Sequence, residues 1–221
     1  MLFPHVVHDI SRISSRISAR ITAVSPSFLT VAMAVALMAL LQMLPPAWHG
    51  VLRYERGAVL DGELWRLLTG HLIHLGLAHW ALNAAGLVLC ALLADRVDAP
   101  ILQGWLLLRL VALGVGVSLM LLAFAPEVSH YVGLSGVLYG LFVLVLWPQA
   151  RRRELIGLLA LFMLIGWMLW QMLNGPAHSE MELIGGRIVA QAHLFGVLSA
   201  VAMLLAQALL HTTKDRPSSN T

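Results

Sequence analysis

The chain has 221 residues, of which 59% are apolar and 11% charged, and its mean hydropathy is +0.83. That composition excludes an ordinary soluble domain and a disordered chain, and it predicts an all-α polytopic membrane protein. The formal charge of +3 and the pI of about 9.6 do not imply a nucleic-acid partner, because the basic residues are spread between hydrophobic spans, as membrane topology requires.

In chain order, residues 1–27 read as a cytoplasmic leader. Ile10, Ile13, Ile17, Ile21 and Val24 recur at three- and four-residue steps with Arg12, Arg16 and Arg20 beside them, the pattern of a cationic amphipathic helix, which lies on the membrane surface or serves as a solvated basic leader. No A-x-A-like cleavage site follows, so the first span is expected to remain as an anchor. That span covers about Phe28 to Leu44 and stops at Pro45-Pro46, where donors are lost and the preceding residue is restricted. A long loop, Trp48 to Gly70, carries Arg53, Glu55, Arg56, Asp61, Glu63 and Arg66.

The second span, about His71 to Ala94, holds His71, His74, His79 and Asn83, an unusual polar load for a membrane helix. His71 and His74 are expected to cap or brace the preceding loop. His79 and Asn83, one turn apart, share a face and can point together into the bundle. Cys90, the single cysteine, reads as small packing. The third span, about Leu106 to Ala125, includes Arg109, expected to snorkel to the cytoplasmic surface.

A short outer loop, Pro126 to Val132, leads into Gly133-Leu134-Ser135-Gly136, a hydroxyl between glycines that opens an apolar run. Glycine allows a sharp turn or a close backbone approach, which a nucleophile displayed at a helix start needs, although Gly136 and Gly140 also form a small-residue pair suited to helix packing. The fourth span, Gly133 to about Trp147, is about 22 Å long at 1.5 Å per residue. It is too short for a hydrocarbon core of about 30 Å, so its start is expected below the outer surface.

Arg151-Arg152-Arg153, a fifth span to about Leu173, an outer loop through Arg187, a sixth span from about Ile188 to His211 and a disordered polar tail (212–221) complete the chain. With both termini inside, nine basic residues fall on the inner side and four in outer loops, the bias expected of that orientation. Trp167 and Trp170, near the outer end of the fifth span, read as interfacial anchors or as flanks of a substrate route. Histidines without carboxylates at ligand spacing argue against a zinc site, and no cofactor is expected.

Gly-x-Ser-Gly at 133–136, Ala-His-x-x-Gly at 192–196 and His-x-x-x-Asn at 79–83, on separate hydrophobic segments, together resemble the rhomboid family of intramembrane serine proteases. Glu63-Leu64-Trp65-Arg66-Leu67-Leu68-Thr69 is similar to the first-loop signature of that family, where the loop packs half-embedded as a structural element. The resemblance covers residues 28–211 and implies a six-transmembrane-helix rhomboid-like bundle in a bacterial inner membrane, open at the site to the periplasmic side.

A serine hydroxyl needs a base within reach, and His193 is the only histidine on the sixth span at that depth, so Ser135 and His193 are expected to act as a dyad. No aspartate lies at outer-half depth, so no third member is expected. The resemblance implies that Tyr139 stacks on His193, and that His79 and Asn83 join the Ser135 N–H in stabilising the oxyanion. Gly133 and Gly136 would support the turn at the serine. Gly136 and Gly140 facing Ala192, Gly196 and Ala200 would set the serine to histidine distance. The small body, Tyr131 to Leu138 and Ala192-His193-Leu194 resemble rhombosortases, which process secreted proteins bearing a Gly-Gly C-terminal membrane anchor; Tyr139, where histidine is expected in that subfamily, departs toward the general rhomboid pattern. The alternatives are a general rhomboid protease and a non-catalytic scaffold that binds membrane helices.

Overall fold

The computed structural model describes residues 26–96 and 105–214. The amphipathic leader helix, most of the charged turn after the second span and the end of the tail lie outside the described residues. The chain runs through α1 (Pro26–Gln42), α2 (Pro46–Leu52), β1 (Tyr54–Glu55), α3 (Arg56–Leu60), α4 (Arg66–Thr69), α5 (Leu77–Arg96) and α6 (Leu106–Phe124). It continues through β2 (His130–Tyr131), α7 (Ser135–Arg151), α8 (Leu155–Asn174), α9 (His178–Ile184) and α10 (Ala190–Lys214). Helices α5, α6, α8 and α10 are long and apolar enough to cross a membrane, while α1 and α7 have 17 residues each, about 26 Å. The fold is an all-α polytopic bundle, α7 packing on α5, α6, α8 and α10.

Three boundaries differ from expectation. The second span begins as a helix only at Leu77, not His71. In the intervening stretch the Gly70 carbonyl accepts the Gly133 N–H at 2.9 Å, the His74 N–H goes to Gln42 Oε1 at 3.2 Å and the Leu75 N–H to His79 Nδ1 at 3.3 Å. A continuous helix would forfeit these bonds. Helix α7 extends through Pro148 to Arg151 instead of ending near Trp147, because a proline in the last turn removes only one donor. Helix α10 runs to Lys214, past the expected boundary at 211.

The loop between α1 and α5 is held by Arg66, whose side chain is 8% exposed. Its Nε donates to Glu63 Oε2 at 2.6 Å and its Nη1 to the carbonyls of Gly50 and Arg53 at 2.7 and 2.9 Å. Thr69 Oγ1 donates to the Leu52 carbonyl, and Trp65 Nε1 to that of Val51. A two-stranded antiparallel bridge, unanticipated in an all-helical reading, pairs Tyr54 with Tyr131 and Glu55 with His130. It ties the loop to the segment that precedes Ser135. Arg66→Ala removes a buried guanidinium and its three hydrogen bonds to Glu63 and two carbonyls, and is expected to lower stability by about 2 kcal/mol, read as a lower unfolding midpoint in detergent. An unchanged midpoint would show that the loop is held by other contacts.

Candidate active site

Ser135 is the first residue of α7. A helix start leaves its first N–H groups without intrahelical acceptors, and the first intrahelical bond here is Leu138 N–H to the Leu134 carbonyl at 2.9 Å. The Tyr131 hydroxyl accepts the Gly136 N–H at 3.3 Å and donates to the Gly133 carbonyl at 2.8 Å, bracing the turn from both sides. Gly133 has φ of +109°, a conformation that other L-residues rarely adopt. A Cβ there would fall 2.5 Å from His79 Cε1 and 2.7 Å from its Nε2, so the missing side chain also makes room for the imidazole.

Ser135 Oγ lies 3.0 Å from His193 Nε2, which joins α7 to α10 across 58 residues of sequence. That distance comes from backbone contact between the two helices. A Cβ on Gly136 would stand 2.7 Å from the Ala192 carbonyl, one on Gly140 2.5 Å from the Gly196 carbonyl, and one on Gly196 would overlap the Gly136 carbonyl. The small residues on both faces thus permit an approach that no larger side chain would. The Tyr139 ring stacks on the His193 imidazole with centroids 4.3 Å apart and planes 14° from parallel.

His79 and Asn83, both buried on α5, face the same place. His79 Nδ1 accepts the Leu75 N–H, so a neutral ring carries its proton on Nε2, the nitrogen beside Gly133. Asn83 Nδ2 donates to the His79 carbonyl at 3.0 Å, which uses one of its two protons and fixes the amide. His71 and His74 stand outside this group: His71 Nε2 contacts the Gly114 carbonyl and Ser118 Oγ at 2.9 Å each, bracing the loop against α6, and His74 meets His79 edge to face.

A cavity of about 700 Å³ is lined by His79, Asn83, Tyr131, Ser135, Tyr139 and His193, with Arg53, Glu127 and Arg187 and the apolar Phe142 and Leu164 also on its wall. Trp167 and Trp170 are 46% and 59% exposed on the outer surface of α8 and line no part of it. No group of three or more histidine, cysteine or carboxylate side chains suited to a metal occurs among the described residues.

Two contributors went unseen in the sequence. Tyr131, on β2, entered the sequence reading only as part of the Tyr131 to Leu138 segment, with no sign of its hydrogen bonds at the turn. Gln171, an amide in the apolar run of α8, is 4% exposed and places Oε1 3.2 Å from His193 Nδ1, so the imidazole has a third partner where none was expected. Its Nε2 donates to Glu180 Oε2 of α9 at 3.0 Å. An amide within the apolar run of a membrane helix was the available signal.

A helical membrane bundle that brings a serine hydroxyl within hydrogen-bond distance of a histidine on a cavity has the arrangement a membrane-embedded serine hydrolase requires. The family comparisons agree. The rhomboid domain matches residues 61–209. The chain is 31% identical over 152 residues to the putative rhomboid protease YdcA of Bacillus subtilis (strain 168), covering 68% of this chain and 70% of that protein. It is also 31% identical over 101 residues to the rhomboid protease GluP of the same organism, covering 46% of this chain and 19% of GluP. The chain belongs to the rhomboid family and is an intramembrane serine protease.

Proposed function

We propose that the chain cleaves single-span or C-terminally anchored membrane proteins with Ser135 as nucleophile and His193 as its base, and that its substrates carry a Gly-Gly pair ahead of the anchor helix. The contact between Ser135 Oγ and His193 Nε2 carries the catalytic assignment. Oγ attacks the scissile carbonyl carbon while its proton passes to Nε2; the tetrahedral intermediate collapses, the C–N bond breaks and the amine leaves with that proton. Water then attacks the acyl-enzyme by the same route.

The oxyanion formed in each half needs fixed donors, and the Ser135 N–H, His79 Nε2–H and Asn83 Nδ2–H are assigned that role, supported by the position of the His79 and Asn83 side chains beside Gly133. His79→Ala and Asn83→Ala are each expected to lower kcat by about 10²- to 10³-fold with little change in KM, measured by initial rates in detergent. A loss confined to KM would assign these side chains to substrate binding.

Six spans with both termini cytoplasmic, in a bacterial inner membrane, would open the cavity to the periplasmic side. The basic residues of the inner segments support this orientation. A helix presents no free peptide bond, so a cut inside or beside one requires local unwinding, which glycine favours. The Tyr131 to Leu138 and Ala192-His193-Leu194 resemblance to rhombosortases supports the Gly-Gly class, while the tyrosine stacked on His193 favours the broader rhomboid class.

The test is purified protein incubated with a fusion ending in Gly-Gly and a transmembrane tail, beside a general rhomboid substrate, with products identified by intact mass. Cleavage at or next to the glycines is expected. Cutting of the general substrate alone would discard the Gly-Gly class, and inactivity on both would favour a helix-binding scaffold.

A further inference from the structure

The proposed Ser135 and His193 pair needs its imidazole in one tautomer: Nε2 must be bare to take the serine proton, so Nδ1 must carry the ring hydrogen. Two residues outside that pair fix this choice. Gln171 is buried on α8 with its amide between His193 and Glu180. The amide has two orientations, and only one is compatible with both neighbours. An ionised carboxylate can only accept hydrogen bonds, so Glu180 Oε2, 3.0 Å away, requires the NH2 end of Gln171. That leaves Oε1 facing His193 Nδ1 at 3.2 Å, and a carbonyl oxygen can only accept, so Nδ1 must donate. The opposite orientation would set Oε1 against the carboxylate and stabilise the tautomer in which Nε2 is protonated and cannot act as a base.

We propose that Gln171 and Glu180 are positioning residues of this protease, a polarised relay in which the Glu180 carboxylate orients the Gln171 amide and the amide holds His193 in its catalytically competent tautomer. The inference rests on the Ser135 and His193 assignment. It gives the imidazole the orientation that a buried aspartate supplies in soluble serine proteases, without placing a charge against it at this depth. The relay also spans three separate elements: Gln171 is on α8, Glu180 on the short α9 that follows it, and His193 on α10. Displacing α8 or α9 would therefore release the tautomer, which makes the competence of the base depend on how these two helices sit.

The experiment compares wild type, Gln171→Leu, Glu180→Gln and the double variant Gln171→Glu with Glu180→Gln. Two readouts are used: kcat/KM on a cleavable fusion, and ¹⁵N spectra of histidine-labelled protein in which the His193 signals are assigned by their loss in His193→Ala. Wild type is expected to show protonated Nδ1 and bare Nε2. Gln171→Leu is expected to lose about 10- to 100-fold in kcat/KM, well short of the roughly 10⁴ associated with an aspartate, and to populate the other tautomer. Glu180→Gln, which frees the amide to turn over, should lose less while still mixing the tautomers.

The double variant exchanges the amide and the carboxylate but keeps the hydrogen at Nδ1, since the carboxylate introduced on α8 accepts both from His193 and from the amide introduced on α9. It should recover most of the activity and the wild-type tautomer. Wild-type kcat/KM and tautomer in Gln171→Leu would overturn the relay, as would a double variant no better than Gln171→Leu while unfolding at the wild-type midpoint. If Ser135→Ala retained cleavage, the failure would lie instead with the dyad itself.

Discussion

Ser135→Ala and His193→Ala are each expected to lower kcat/KM by about 10⁴- to 10⁶-fold, and the double variant by no more than either alone. In the proposed dyad the two side chains act as one unit: at 3.0 Å, Nε2 is within reach to take the Oγ proton as the hydroxyl attacks. Removing the base leaves a hydroxyl that is scarcely nucleophilic, and removing the nucleophile leaves a base with nothing to activate. Progress curves on one fusion substrate check this, and multiplicative losses in the double variant would mean that the residues contribute separately. Ser135→Ala shortens a half-buried side chain at the cavity wall, so its unfolding midpoint should stay close to wild type, whereas His193→Ala empties a buried site stacked on Tyr139 and should lower it.

Gly196→Leu is expected to abolish measurable cleavage although it leaves every polar group of the site in place. Even a single Cβ at 196 would overlap the Gly136 carbonyl, one residue from the serine. Helices α7 and α10 must then separate by more than an ångström, and a displacement of about 1 Å from the reactive geometry costs on the order of 10²-fold in rate. Gly166→Leu on α8 is the matched control, because a Cβ there meets nothing within 4 Å. It is expected to cleave at the wild-type rate. Normal turnover by Gly196→Leu would mean that the backbone contact does not set the serine to histidine distance.

The parts of the site that could be read in the sequence were those whose chemistry is marked locally. Ser135 stands between glycines, His79 and Asn83 are one turn apart on an apolar helix, and Gly136, Gly140 and Gly196 fall at spacings suited to close helix packing. The stacking of Tyr139 on His193 followed from the family resemblance and matches the geometry found. Gln171 was not legible, because its meaning depends on two partners 22 and 9 residues away on other elements. The bridge between Tyr54 and Tyr131 was equally hidden, since two-residue strands leave no periodicity to detect. The stretch from His71 to Gly76 looked helical by hydrophobicity. Its backbone groups, and those of Gly70 just before it, instead bond to Gly133, Gln42 and His79, which the composition of the segment does not encode.

The central claim is that Ser135 is a nucleophile made reactive by His193. The most direct measurement is intact-mass and peptide analysis of the detergent-purified protein after treatment with a fluorophosphonate, comparing wild type with Ser135→Ala and His193→Ala. Wild type should gain the mass of one phosphonyl group, mapped to Ser135, while both variants remain unlabelled over the same interval. Labelling that persists in Ser135→Ala, or that proceeds at the wild-type rate in His193→Ala, would contradict the assignment.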